Sequence, residues 1–114
     1  MVLVRSMVAG KPKFHLCISL DGCFLFLNSY KRDYPGDIVV PCTDFPYLDA
    51  TDSGLSVICC SMILRLRPDE VAGGIVKGRA PKSLLLKVFE EAEASEVLSD
   101  VDRETIMAGL ADWI

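Results

Sequence analysis

The dipeptide Asp21-Gly22 lies between two apolar runs, and it constrains this chain more than any other feature. Before it, Phe14, Leu16, Ile18 and Leu20 alternate with His15, Cys17 and Ser19; after it, Cys23 to Leu27 is continuously apolar. Asp-Gly satisfies a type I′ turn, which needs positive φ at both central residues, so the two runs are predicted to form a β-hairpin. A two-residue turn sets the register. It places Leu20 opposite Cys23, and Ser19, Cys17, His15 and Lys13 opposite Phe24, Phe26, Asn28 and Tyr30 on one face. The other face takes Phe14 with Ser29, Leu16 with Leu27 and Ile18 with Leu25, a core surface.

The 114 residues suit one domain, residues 1–114. Ile38 to Val40 and Ser56 to Cys60, continuing through Met62 to Leu66, read as further strands, and Val2 to Val4 as a weaker one. Pro41 to Gly54 reads as a long loop. Pro68-Asp69-Glu70 opens a short helix that Gly73-Gly74 weakens. Leu84, Leu85, Val88, Phe89 and Ala92 recur at helical spacing within Pro81 to Ala94. Ser99 is the expected N-cap of a final helix that carries Val101, Ile106 and Leu110 along one face. Strands over about residues 1–66 followed by helices over about residues 67–114 make an α+β domain.

Composition narrows the function. A chain that is 51% hydrophobic and 25% charged is neither disordered nor collagen-like. Its longest uncharged stretch, Ser53 to Leu64, is too short for a membrane span, and the first residues lack a signal-peptide pattern. Five cysteines without scaffold or zinc-ligand spacing fit a reducing cytoplasm. His15 is the only histidine, which excludes a two-histidine mechanism. Residues 1–66 balance their charges, so the net −4 falls in the second part. A bulk basic surface for duplex DNA is therefore excluded, while a local basic patch of Lys11, Lys13, Lys31 and Arg32 stays open beside the reading that these are simply solvated cations.

The hairpin register gathers Lys13, His15, Asn28 and Tyr30 at the end away from the turn, with Lys31 and Arg32 just beyond. A cation, an imidazole, an amide and a phenol suit a phosphate and a base. The rival reading makes His15 and Asn28 a satisfied pair at a sheet edge. Other features lead nowhere: Cys59-Cys60 point to opposite faces of a strand, Ser53-Gly54 and Gly73-Gly74 lack a phosphate-loop context, and Glu90 to Glu96 is a solvated helix face.

Lys11-Pro12-Lys13-Phe14-His15-Leu16-Cys17-Ile18-Ser19, Phe24-Leu25-Phe26-Leu27-Asn28-Ser29, the stretch from Ser53-Gly54-Leu55 to Leu66, and Gly78 to Phe89 together resemble the PemK/MazF-like toxins of prokaryotic toxin-antitoxin systems. The resemblance implies a small SH3-like antiparallel β-barrel with C-terminal helices, and cytoplasmic, metal- and cofactor-independent cleavage of single-stranded RNA. It implies Lys13 in place of the family's arginine, and Ser29 or its neighbour Asn28 in place of its Thr/Ser. His15, with a reference pKa of about 6.5, is then the natural proton carrier, and Lys11, Tyr30, Lys31 and Arg32 are the expected RNA contacts. An antitoxin over the same face and a homodimer are the expected partners. The alternative is a non-catalytic protein-interaction module on the same fold, its interface supplied by groups such as Trp113-Ile114.

Overall fold

A computed structural model describes residues 2–8, 11–19, 22–46, 48, 53–71 and 75–114, with the backbone alone for 2–8, 11–13 and 70–71. The strands are β1 (Val2–Val8), β2 (Lys11–Ser19), β3 (Cys23–Ser29), β4 (Ile38–Pro41), β5 (Leu55–Ile58), β6 (Leu64–Arg65) and β7 (Ile75–Arg79). Three helices, α1 (Pro68–Val71), α2 (Lys82–Ala94) and α3 (Asp100–Ala111), complete an α+β fold. The antiparallel sheet runs β4-β5-β3-β2-β1-β7, and β6 also pairs with β3. This path is open: β4 and β7 stand at its two ends, and the described strands do not close into a ring.

One face of the sheet carries Leu16, Ile18, Leu25, Leu27, Val40 and Ile58, all buried. They pack against Leu84, Leu85, Val88 and Ala92 of α2 and Ile106 and Leu110 of α3. These are the faces that the alternation in β2 and the helical spacing require, because side chains alternate along a strand and recur every three to four residues along a helix. Ser99 caps α3 by accepting a hydrogen bond from the Asp102 N–H at 3.1 Å. Ser95 organises the link between the helices: its hydroxyl accepts from the Val97 and Leu98 N–H groups, and its carbonyl accepts from Arg103.

Three expectations are corrected. The β2–β3 register is two residues from the one a two-residue turn dictates, with His15 opposite Phe26, Leu16 opposite Leu25 and Ser19 opposite Cys23. Leu20 and Asp21 lie outside the described residues, but the pair Ser19–Cys23 closes a three-residue connection in which Gly22 has φ +89° and donates to the Ser19 carbonyl. That connection pairs a left-handed glycine with the strand twist as a hairpin requires, and it leaves the Gly22 carbonyl to accept from Leu66. A bulge at Ile18 absorbs the mismatch between the two strands. Secondly, the run from Ser56 to Leu66 is not one strand. β5 and β6 both pair with β3, but five residues, 59–63, separate them where β3 has only Leu25 and Phe26, so the chain buckles between them.

The third correction lies in the part expected to be helical. Ile75–Arg79 is a strand, antiparallel to β1 with a bulge of its own, and it joins the sheet assigned to residues 1–66. Gly73-Gly74 lies outside the described residues.

Helix α3 meets the sheet at Gly109, where an added Cβ would strike the Ile18 carbonyl oxygen of the bulge. Alanine ordinarily stabilises a helix interior by about 1 kcal/mol over glycine. At this contact, overpacking costs about 1–3 kcal/mol and opposes that gain. Gly109→Ala is expected to lower the urea midpoint with an unchanged m-value, the reverse of what helix propensity alone predicts.

Candidate functional site

The sequence places the candidate residues on both sides of the β2–β3 ladder, and the observed register sorts them differently. His15 is fully buried (0% exposed), with its ring 5.3 Å from that of Phe26 and 6.0 Å from that of Phe24, the latter edge-on. An aromatic cluster of this kind is packing, not an open site. The expected pairing of His15 with Asn28 is therefore absent. In the observed structure the imidazole does not reach solvent, and the role of proton carrier expected of it has no surface on which to operate.

From Phe14 to Cys17 the two-residue shift keeps each residue on its expected face and moves its partner. The β2–β3 ladder ends at Phe14–Leu27, so Lys13 on β2 and Asn28 on β3 each lie one residue beyond its last pair, where the two-residue turn would have set Lys13 opposite Tyr30. Lys13 is also paired with Ser6 of β1. The side chains of Lys11 and Lys13 lie outside the described residues. Asn28 is half-buried and donates from its amide to the Cys59 thiol at 3.4 Å, a contact across to the buckled segment between β5 and β6. Ser29, paired with Ser56, is exposed.

Beyond β3 the chain turns away from the sheet. Tyr30 anchors this corner by donating its N–H to the Leu55 carbonyl. Its phenol is pushed above the usual tyrosine range by partial burial, by the charge of Asp33 and by the hydrogen bond it donates to that carboxylate, so it keeps its proton at neutral pH. Lys31 and Arg32 are exposed. Arg32 donates from Nε to the Tyr34 hydroxyl at 2.5 Å, and its guanidinium carbon lies 4.9 Å from the ring centroid. Tyr34 escaped the sequence reading because a tyrosine before Pro-Gly signals only a turn; its cation partner two residues upstream was the available sign.

The turn that mounts Tyr34 is built by Pro35 and Gly36. Gly36 has φ +85°, and the Asp37 N–H closes the turn on the Tyr34 carbonyl at 3.2 Å, as a type II turn with proline then glycine requires. The Asp37 carboxylate in turn accepts the Cys60 backbone N–H. Burial nevertheless raises its pKa above 3.8. Burial also drives the Cys60 thiol far above its normal range, as do the nearby carboxylates of Asp37 and Glu91. Cys60 is an inert core thiol, and all five cysteines are free. Among the described residues, no three metal-ligating side chains converge.

Charge is segregated along the sheet. Among the described residues no Asp or Glu stands on a strand, while Arg5, Lys11, Lys13, Arg65, Lys77 and Arg79 all do. Five of these six fall on the adjacent strands β2, β1 and β7. Acidic overall, the molecule has a half-sheet bearing cations alone. Comparison with protein-family models, curated proteins and solved structures finds no match to this chain.

Two outcomes follow from these environments. As the only histidine, His15 should resist diethyl pyrocarbonate in the folded protein and react once urea unfolds it, followed by imidazole absorbance; ready modification of the native chain would contradict its burial. For Asp37, the unfolded carboxyl ionises before the folded one, so the folded state binds more protons between the two pKa values and stability falls as pH rises through that window. Asp37→Asn retains an acceptor for Cys60 and cannot ionise. It is expected to flatten the decline above about pH 4 in urea titrations and to leave the variant at least as stable as the parent at neutral pH.

Proposed function

We propose that the chain is a toxin-like protein of a toxin-antitoxin pair that binds single-stranded RNA and cleaves it without a metal, on an opened variant of an SH3-like barrel. The observation that carries this reading is the run of cations on the adjacent strands β2, β1 and β7, with Lys13 one residue beyond the last β2–β3 pair, Asn28 and Ser29 at the corresponding end of β3, and Tyr30 just after it. Phosphate neutralisation supplies most non-specific affinity for nucleic acid, and a local field of one sign serves it even when the net charge is −4. One feature of the register supports the resemblance to the PemK/MazF-like toxins: Lys13, the counterpart of the family's arginine, and Asn28 and Ser29, the counterparts of its Thr/Ser, follow the last β2–β3 pair, Phe14–Leu27, at the same end of the ladder.

In this mechanism the ribose 2′-oxygen attacks the adjacent phosphorus as its proton passes to solvent. The bond to the 5′-oxygen breaks, leaving a 2′,3′-cyclic phosphate and a 5′-hydroxyl. Lys13 offsets the charge that gathers on the phosphoryl oxygens, and Asn28 and Ser29 hydrogen-bond them. Tyr30, the residue after Ser29, is the assigned donor to the leaving 5′-oxygen, exchanging its hydrogen bond to Asp33 for one to the substrate. Lys11, Lys31 and Arg32 hold the strand on either side. The protein works in the cytoplasm, where its thiols stay reduced, as a homodimer whose antitoxin covers the same surface.

Lys13→Ala is expected to slow cleavage of a single-stranded RNA by about 10²–10³-fold, the cost of losing one charge-stabilising group, and to relieve growth inhibition on expression, while chelators leave the parent activity unchanged. Exposed Ile75 and Val76 on the outermost strand favour a second reading, a non-catalytic module that binds a protein. A folded chain that leaves every RNA intact and causes no growth defect would decide for that second reading.

A further inference from the structure

We propose that Tyr34, braced by Arg32, is a nucleobase-stacking site for single-stranded RNA; the inference rests on the RNA-binding reading above and adds a contact outside the cleavage corner. Tyr34 is 49% exposed, and among the described residues it is the one aromatic side chain in the exposed class. Isolated exposed aromatics are ordinary. This one differs in being held. Arg32 fixes the ring from one side through both its hydrogen bond to the hydroxyl and its guanidinium against the ring.

The backbone beneath the ring is fixed as well. Pro35 limits the chain, Gly36 turns it, and the Asp37 N–H closes the turn on the Tyr34 carbonyl. Asp37 is itself tied to Cys60, and Gly36 lies against Ser61 and Val97, so the turn is seated on the buckled β5–β6 segment and on the α2–α3 link. A planar group immobilised before binding loses little conformational entropy when a flat ligand stacks on it. Exposed Lys31 and Arg32 supply positive charge for the flanking phosphates. Of the two carboxylates in the same segment, Asp33 accepts the Tyr30 phenol and Asp37 the Cys60 backbone N–H. An aromatic plane with a cation at its edge and more cations beside it matches the two halves of a nucleotide: a base for the ring and a phosphate for the charge. A protein partner would gain from an apolar rim around Tyr34, and the residues next to it are Asp33, Arg32 and Pro35.

The test is fluorescence anisotropy of the full chain with labelled 2′-O-methyl oligoadenylate and oligouridylate, which bind but cannot be cleaved, across a range of salt. Stacking is worth a factor of roughly 5 to 150 per base on removal, so Tyr34→Ala is expected to weaken oligoadenylate binding about tenfold with the slope of log K against log salt unchanged. Tyr34→Phe retains most of the affinity. Arg32→Ala flattens the salt slope by about one unit, the signature of a lost phosphate contact. The parent prefers oligoadenylate, and Tyr34→Ala narrows that preference, because purines stack more strongly than pyrimidines. Parent-like binding by Tyr34→Ala overturns the stacking site and leaves the RNA reading standing. Equal losses in Tyr34→Phe and Tyr34→Ala overturn stacking in favour of the hydroxyl. Absence of binding by the parent chain itself overturns the RNA reading, and this inference with it.

Discussion

The backbone of α3 rests on the β2 bulge, at the point where Gly109 meets the Ile18 carbonyl, and the placement of the candidate site depends on that contact. A bulge inserts one residue into a strand and shifts everything beyond it relative to its partner. Here it reconciles a three-residue connection at Gly22 with a ladder that still buries Leu16, Leu25 and Leu27 under the helices. The result places His15 against the rings of Phe24 and Phe26 and ends the ladder at Phe14–Leu27.

The same architecture separates charge. Carboxylates occupy the loops and helices, where they support helix N-termini, as Asp100 and Asp102 do in α3, or pair with cations, as Asp102 does with Arg65 at 2.9 Å. That exposed bridge is worth about 0–1 kcal/mol, so it ties β6 to α3 without deciding the fold. Among the described residues, the charged side chains that stand on strands are all cations. A chain whose composition speaks against polyanion binding thus presents one region that favours it, since a ligand responds to the local field within about a Debye length rather than to the net charge.

Much of the scaffold was legible from residue order. The alternation from Phe14 to Ile18 identified the buried face of β2, and the spacing of Leu84, Leu85, Val88 and Ala92 identified that of α2, because each pattern matches the period of a single element. Ser99 announced α3 by a local hydrogen bond. β7 was not legible: five residues mixing Ile, Val, Lys, Gly and Arg carry no clear period, and two of them, Ile75 and Val76, stay exposed at the edge. The break between β5 and β6 was hidden for the opposite reason. An unbroken apolar run from Val57 to Cys60 and on through Met62 reads the same whether it is straight or buckled, and only its pairing with β3 tells the two apart.

The sequence by itself determined the α+β class, the hairpin, the core faces and the two long helices, since short-range periodicity and local capping chemistry decide each of them. Tertiary structure alone decided the register, the burial of His15, the joining of β7 to β1 and the clamped ring of Tyr34. Those depend on which strands pair and how a loop closes. Such choices are made by packing between segments far apart in the chain, and a slip of two residues preserves every hydrophobic pattern while changing every neighbour.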